Sequence, residues 1–228
     1  MTRHAAPTSR PDRRDYFSRF SRLVAGTLLT ALGVVLILQA DMGLDSWSVF
    51  HQGLEKTAGV SFGTASVLTG ALALLLALWM GEAFGVGTLC NIVLCGIAID
   101  FLCAGGWIPL SASLPQSLLY LLAGMECLAF GTCLYMSSRL GSGPRDALTV
   151  ALARRTGRSV GACRTAMDVL VTLAGWLMGG RFGPGTLLTA LLFGGLLGWN
   201  FRLMGFAPAS LAQENCRETL RALGGAGE

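Results

Sequence analysis

The sequence predicts an all-α integral membrane protein: six transmembrane helices arranged as two inverted-topology three-helix repeats, each with an extra short interfacial or re-entrant helix. Three observations carry this. Of 228 residues, 53% are hydrophobic and 13% charged, with a mean hydropathy of +0.59. The charges cluster between long apolar runs, which a water-soluble core does not require. The chain also repeats itself: shifted so that Gly43 falls on Gly141, roughly 22 positions between Leu23 and Gly96 match their partners, far more than shared apolar composition gives. Finally, the matching connections of the two copies carry opposite charge.

Residues 1–22 form a basic tail, with Arg3, Arg10, Arg13, Arg14, Arg19 and Arg22. Such a tail holds the N-terminus in the cytoplasm. The apolar run Leu23–Leu38 is read as a retained helix, not a signal peptide. Its basic flank is long, no clean A-x-A site follows, and its repeat partner Leu119–Met136 lies mid-chain. An acidic connection, Asp41–Val60, leads to a second span near Phe62–Met80, a turn Gly81–Val86 and a third span near Gly87–Cys103. The neutral loop Ala104–Pro115 joins the halves. The second copy then gives a span near Leu118–Met136, a basic connection Ser138–Val160, a span near Gly161–Met178, a turn Gly179–Pro184 and a span near Gly185–Met204. Each run is close to the ~20 residues that cross a bilayer. The boundaries are thus a first repeat over 23–104, a second over 118–205, and a C-terminal tail over 206–228, where Ala207–Glu228 reads as a short surface helix with a Gly-rich end.

Three crossings is an odd number, so the second copy enters from the opposite side. With the N-terminus inside, the connection holding Asp41, Asp45 and Glu55 lies outside. Its twin, holding Arg139, Arg145, Arg154, Arg155 and Arg158, lies inside, as does the C-terminus with Arg202, Arg217 and Arg221. The positive-inside rule demands this arrangement.

Each connection contains a helix-start signature, Asp45-Ser46 or Ser142-Gly143-Pro144, then an apolar stretch (Val49–Leu54, Ala147–Leu152) too short to span the bilayer. A Gly-x-Ser-x-Gly turn follows (Gly59–Gly63, Gly157–Gly161). It resembles a nucleophile elbow only as text, since no strand precedes it and no triad is available. Paired short segments interrupted by Gly and Pro point to a transporter site between repeats, whereas a plain interfacial helix would anchor Trp47 at the headgroups. Phe-Gly-x-Gly-Thr-Leu opens the third span of each copy (Phe84–Leu89, Phe182–Leu187). It lacks the Gly-Lys-Ser/Thr ending of a phosphate loop, and Thr88 or Thr186 reads as a helix cap.

Ionisable residues at bilayer depth mark ion or solute paths. Glu126 and Asp168 sit near the middle of their spans, Asp100 in the outer part of the third, and Asn91 near its start. Arg164 stands one turn before Asp168 on the same face. Glu126 falls on Leu28 in the repeat, an asymmetry that makes it a candidate proton or cation handler. Arg139, Arg145 and Asp146 would line the cytoplasmic approach to a site between the halves, with Asp45 and His51 on the outer one. A lone interfacial histidine is expected to be solvated. The seven cysteines contain no C-x-x-C pair and read as packing residues.

The strings Met42–Leu54, Arg139–Asp146 and Arg154–Ser159 resemble the YczE-type bacterial membrane proteins, which are related more distantly to the YitT group. This resemblance implies a multi-pass protein of the bacterial cytoplasmic (inner) membrane and supplies no substrate or catalytic residue. The functional expectation is a small secondary transporter or permease for a small solute, proton coupling included. The alternative is a non-transporting scaffold or regulator, with the clustered arginines as its docking surface. No metal cluster, nucleophile–base pair or cofactor motif appears, so no enzyme and no cofactor is predicted. The expected partners are the lipid bilayer and the solute, with a homodimer left open and no nucleic acid.

Overall fold

The computed structural model describes residues 13–205. Both ends of the chain, including the expected C-terminal surface helix, lie outside them. Among the described residues there are eight helices and no strand: α1 (Arg13–Gln39), α2 (Ser46–Ala58), α3 (Phe62–Trp79), α4 (Val86–Gly105), α5 (Leu114–Ser137), α6 (Pro144–Thr156), α7 (Val160–Leu177) and α8 (Pro184–Leu203). Six of them, all but α2 and α6, are long and apolar enough to cross a membrane. Helix α1 starts at Arg13, so part of the basic tail is already helical before Leu23.

Helices α1 and α5 form the spine. They run antiparallel, because Gly26 meets Gly131 while Gly33 meets Gly124: a Cβ on Gly33 would lie 2.6 Å from the Gly124 carbonyl oxygen. Small residues at these crossings let the two backbones touch, which replaces the hydrophobic drive that lipid removes. At one end of the spine the loop before α5 closes on α1, with Ser111 N–H donating to the Gln39 carbonyl at 3.0 Å. At the other end Leu23 packs with Tyr135 and Leu140. The spine core of Ala31, Val35, Ile37, Leu121 and Met125 continues into Leu44 and Val49 at the start of α2.

The local chemistry of the connections explains their motifs. Asp45 caps α2, accepting from Ser48 N–H at 3.4 Å. The first Gly of each Gly-x-Ser-x-Gly turn ends a short helix in the left-handed conformation, Gly59 and Gly157 both at φ +67°, where a side chain is disfavoured. The Ser then caps the next span: Ser61 accepts from Thr64 N–H at 3.1 Å and Ser159 from Ala162 N–H at 3.2 Å. Each short helix packs on a span of the other half, α2 on α7 and α6 on α3. The same exchange ties the loops. Gly185 N–H donates to the Met42 carbonyl at 2.7 Å, and Gly87 N–H donates to the Leu140 carbonyl at 2.8 Å. The Phe-Gly-x-Gly-Thr motif of one half is therefore completed by the loop before the short helix of the other. Thr88 Oγ1 donates across this junction to the Ser142 carbonyl at 2.6 Å, whereas Thr186 Oγ1 accepts from Gly183 N–H at 3.2 Å as a local cap.

Candidate functional site

The starts of α2 and α6 follow opposite ends of the α1–α5 spine, yet they meet. Arg145, in the first turn of α6, lays its guanidinium 4.6 Å from the Trp47 ring in the first turn of α2. Two helices lying flat on opposite faces of a ~30 Å hydrocarbon layer could not touch in this way. The first turns of α2 and α6 therefore meet inside the bundle. The shift that puts Gly43 on Gly141 also puts Trp47 on Arg145, so the contact joins equivalent positions of the two halves.

Around this contact lies a group of charges. The Trp47 indole Nε1–H donates to Asp168 Oδ1 of α7 at 2.9 Å. Arg164, one turn before Asp168, reaches Asp168 Oδ2 at 4.0 Å and Asp146 Oδ1 of α6 at 3.4 Å. Asp146 also accepts from the Tyr135 hydroxyl of α5 at 3.2 Å. On the other side, Arg145 Nη2 contacts His51 Nε2 at 3.4 Å, and His51 stands edge-on to Phe62 with ring centroids 5.6 Å apart. Indole, guanidinium and imidazole thus come from short helices whose N-termini carry partial positive charge.

His51 is not the solvated residue expected of an interfacial histidine: it is 2% exposed. Burial, with the Arg145 cation beside it, holds its imidazole well below the usual value and keeps it neutral. Neither His51 Nδ1 nor Asp45 Oδ1, both buried, has a hydrogen-bond partner among the described residues. One turn beyond His51, burial and the Asp100 carboxylate push the Glu55 carboxyl up, partly offset by Lys56.

Of the residues singled out in the sequence, His51, Arg145, Asp146, Arg164 and Asp168 come together, with Asp45 capping the same helix. The others do not join them. Asp100 serves the start of α3, accepting from Ser61 Oγ–H at 2.5 Å and from Gly63 N–H at 2.7 Å. Asn91 ties α4 to α1, donating to Thr27 Oγ1 at 3.0 Å. Arg139 is exposed and sits in a left-handed turn at φ +59°. Glu126 is half-buried on α5, and no described hydrogen bond or ion pair links it to the cluster. Trp47 and Tyr135 are the members that sequence reasoning did not select; the exact superposition of Trp47 on Arg145 was the available signal.

The relatives place this arrangement in a family. A family of unknown function, DUF6198, matches residues 17–202. The chain is 33% identical over 181 residues to the uncharacterized membrane protein YczE of Bacillus subtilis (strain 168), covering 78% of this chain and 83% of that one. An uncharacterized protein of Haemophilus influenzae is 28% identical over 192 residues, 84% of this chain and 87% of its own. The uncharacterized protein YyaS of Bacillus subtilis is 29% identical over 176 residues, 75% and 87% of the two chains. No solved structure matches. With six helices long and apolar enough to span and a membrane-protein relative of matching length, the chain is a multi-pass membrane protein and belongs to the YczE-like DUF6198 family.

Proposed function

We propose that the chain is a small secondary transporter of the bacterial inner membrane, built of two inverted repeats, with both termini cytoplasmic and a solute site where α2 and α6 meet. Repetition of backbone as well as sequence supports the inverted repeat. Left-handed residues recur at equal spacing in Asp41 and Arg139, Gly43 and Gly141, and Gly81 and Gly179. Inverted repeats supply two exchangeable arrangements of one packing, the basis of alternating access.

The observation that carries the transport reading is an inequality between the halves. In the first, Gly63 of α3 packs directly on Gly96 of α4: a Cβ on Gly96 would lie 2.7 Å from the Gly63 carbonyl oxygen. The second half keeps the same glycines, Gly161 of α7 and Gly194 of α8, yet a Cβ on either would meet nothing within 4 Å. Phe62 is 3% exposed, and its counterpart Val160 is 51% exposed. In the N-inside orientation the sealed α3–α4 junction is at the outer end and the open α7–α8 junction at the inner end, so this state is inward-open. The Asp41–Arg181 ion pair lies at the same outer end. The outward-open state exchanges the roles: Gly161 closes on Gly194 while Gly63 and Gly96 part.

The test is a Gly161→Cys/Gly194→Cys pair in a chain whose native cysteines are replaced, reconstituted in liposomes. Closure brings the Cα atoms into the ~4.4–6.8 Å range that a disulfide needs, so oxidation is expected to cross-link the pair. A folded, thiol-reactive pair that never cross-links would sink the reading and leave a static scaffold.

A further inference from the structure

Where α3 ends beside the end of α6, two neighbouring arginines have different fates. Arg154, in the last turn of α6, is paired with Glu82 of the α3–α4 turn at 3.0 Å. Arg155 has no hydrogen-bond or ion-pair partner among the described residues. Its guanidinium instead lies over the ring of Trp79, the last residue of α3, 4.8 Å from the centroid. Trp79 is 73% exposed. A guanidinium stacked on an indole keeps its N–H edge free to donate, and that edge matches the oxygens of a phosphate.

The repeat does not require this pairing. The shift that puts Gly43 on Gly141 puts Trp79 on Leu177 and Thr57 on Arg155, so the other copy has neither the ring nor the charge. The positive-inside rule does not require it either, since that rule counts charges and needs no stacking. Along the helix from Trp79, α3 exposes Leu75, Leu72 and Leu68, whose alternating spacing of three and four residues makes one continuous stripe. From Leu68 to Trp79 the helix rises ~16 Å, about one leaflet of a ~30 Å hydrocarbon layer. A tryptophan at such a helix end sits at headgroup level. The N–H edge of Arg155 therefore stands at the depth of the lipid phosphates, with an apolar track as long as an acyl chain leading away from it.

We infer that the Trp79–Arg155 corner and the leucine stripe of α3 bind an anionic phospholipid. One guanidinium balances the single charge of a phosphodiester such as phosphatidylglycerol. Phosphatidylcholine brings an ammonium group as well, which Arg155 repels. A free phosphate gains nothing from the leucines, and an acidic protein segment cannot reach them inside the hydrocarbon. The N-inside orientation puts the site in the inner leaflet, and binding there needs no transport cycle.

Native mass spectrometry of the full-length protein in one detergent, titrated with phosphatidylglycerol or phosphatidylcholine of identical chains, reads the affinity for the first lipid bound. Wild type is expected to prefer phosphatidylglycerol by roughly fivefold. Arg155→Gln should remove most of that preference and leave phosphatidylcholine binding unchanged. Trp79→Leu keeps the stripe apolar and should weaken phosphatidylglycerol binding by roughly two- to fivefold; if Arg155→Gln fails to fold, this variant decides. Arg202→Gln, which removes an exposed arginine at the end of α8, should leave the preference as it is. No preference in wild type, an equal loss in Arg202→Gln, or a parallel loss of both lipids in Arg155→Gln would each overturn the inference. So would displacement of the lipid by an equimolar amount of glycerophosphoglycerol, the headgroup without its chains.

Discussion

Replacing Gly96 and Gly194 in turn by alanine measures how unequal the two halves are. A methyl group on Gly96 would stand 2.7 Å from the Gly63 carbonyl oxygen, well inside the ~3.5–4.0 Å of a relaxed contact. Val67 can turn its side chain aside, but the Gly63 backbone cannot, so α3 and α4 must part by roughly 1 Å. Overpacking of this kind costs about 1–3 kcal/mol. At Gly194 the methyl group meets nothing within 4 Å, and alanine in a helix interior gains about 0.5–1 kcal/mol over glycine. The two substitutions should therefore differ by about 1.5–4 kcal/mol, or roughly 3–16 °C in unfolding midpoint. The assay is thermal unfolding in one detergent, followed by circular dichroism. Equal midpoints for Gly96→Ala and Gly194→Ala would refute the reasoning, because they would mean that the two glycines share one environment.

Two further outcomes follow from named contacts. Asp100→Ala removes two hydrogen bonds to the start of α3, and the repeat places Gly198 at the matching position, so the second half has no such latch. The loss should weaken the α3–α4 seal by about 1–2 kcal/mol after discounting for exposure, raising the Gly161–Gly194 cross-linking rate several-fold; an unchanged rate would show that the latch does not hold this state. His51, held neutral by burial and by Arg145 with Phe62 on its edge, binds fewer protons folded than unfolded. Stability should be full above the ordinary imidazole value of about 6.5 and fall as pH drops below it. Denaturant midpoints between pH 7.5 and 5, measured in detergent, should decline more steeply for wild type than for His51→Gln.

The sequence carried the spans, the repeat and the turn chemistry because these depend on neighbours in the chain. Hydropathy located the six long helices, and Asp45 announced the start of α2 one residue before the structure places it. The two short helices extend beyond the apolar stretches Val49–Leu54 and Ala147–Leu152, since capping at Asp45 and Gly143 and the left-handed Gly59 and Gly157 set their ends. What could not be read locally was the exchange between halves. Nothing near Thr88 indicates that its hydroxyl reaches the Ser142 carbonyl, and nothing near Trp47 indicates Asp168. For the same reason Glu126 drew attention through its mismatch with Leu28, whereas the charged group gathers around Arg145, whose partner in the repeat is an aromatic ring. Burial of His51 likewise depends on α6 and α3, which are distant in sequence.

The most direct measurement of the two-state account is the reactivity of Phe62→Cys toward a membrane-impermeant thiol reagent added outside, before and after the Gly161–Gly194 cross-link is formed. Phe62 is 3% exposed and its counterpart Val160 is 51% exposed, so exchange of the two arrangements should turn a protected thiol into an accessible one. Labelling that appears with the cross-link and disappears on its reduction is the predicted result. A thiol that stays protected while α7 and α8 are locked together would contradict the account.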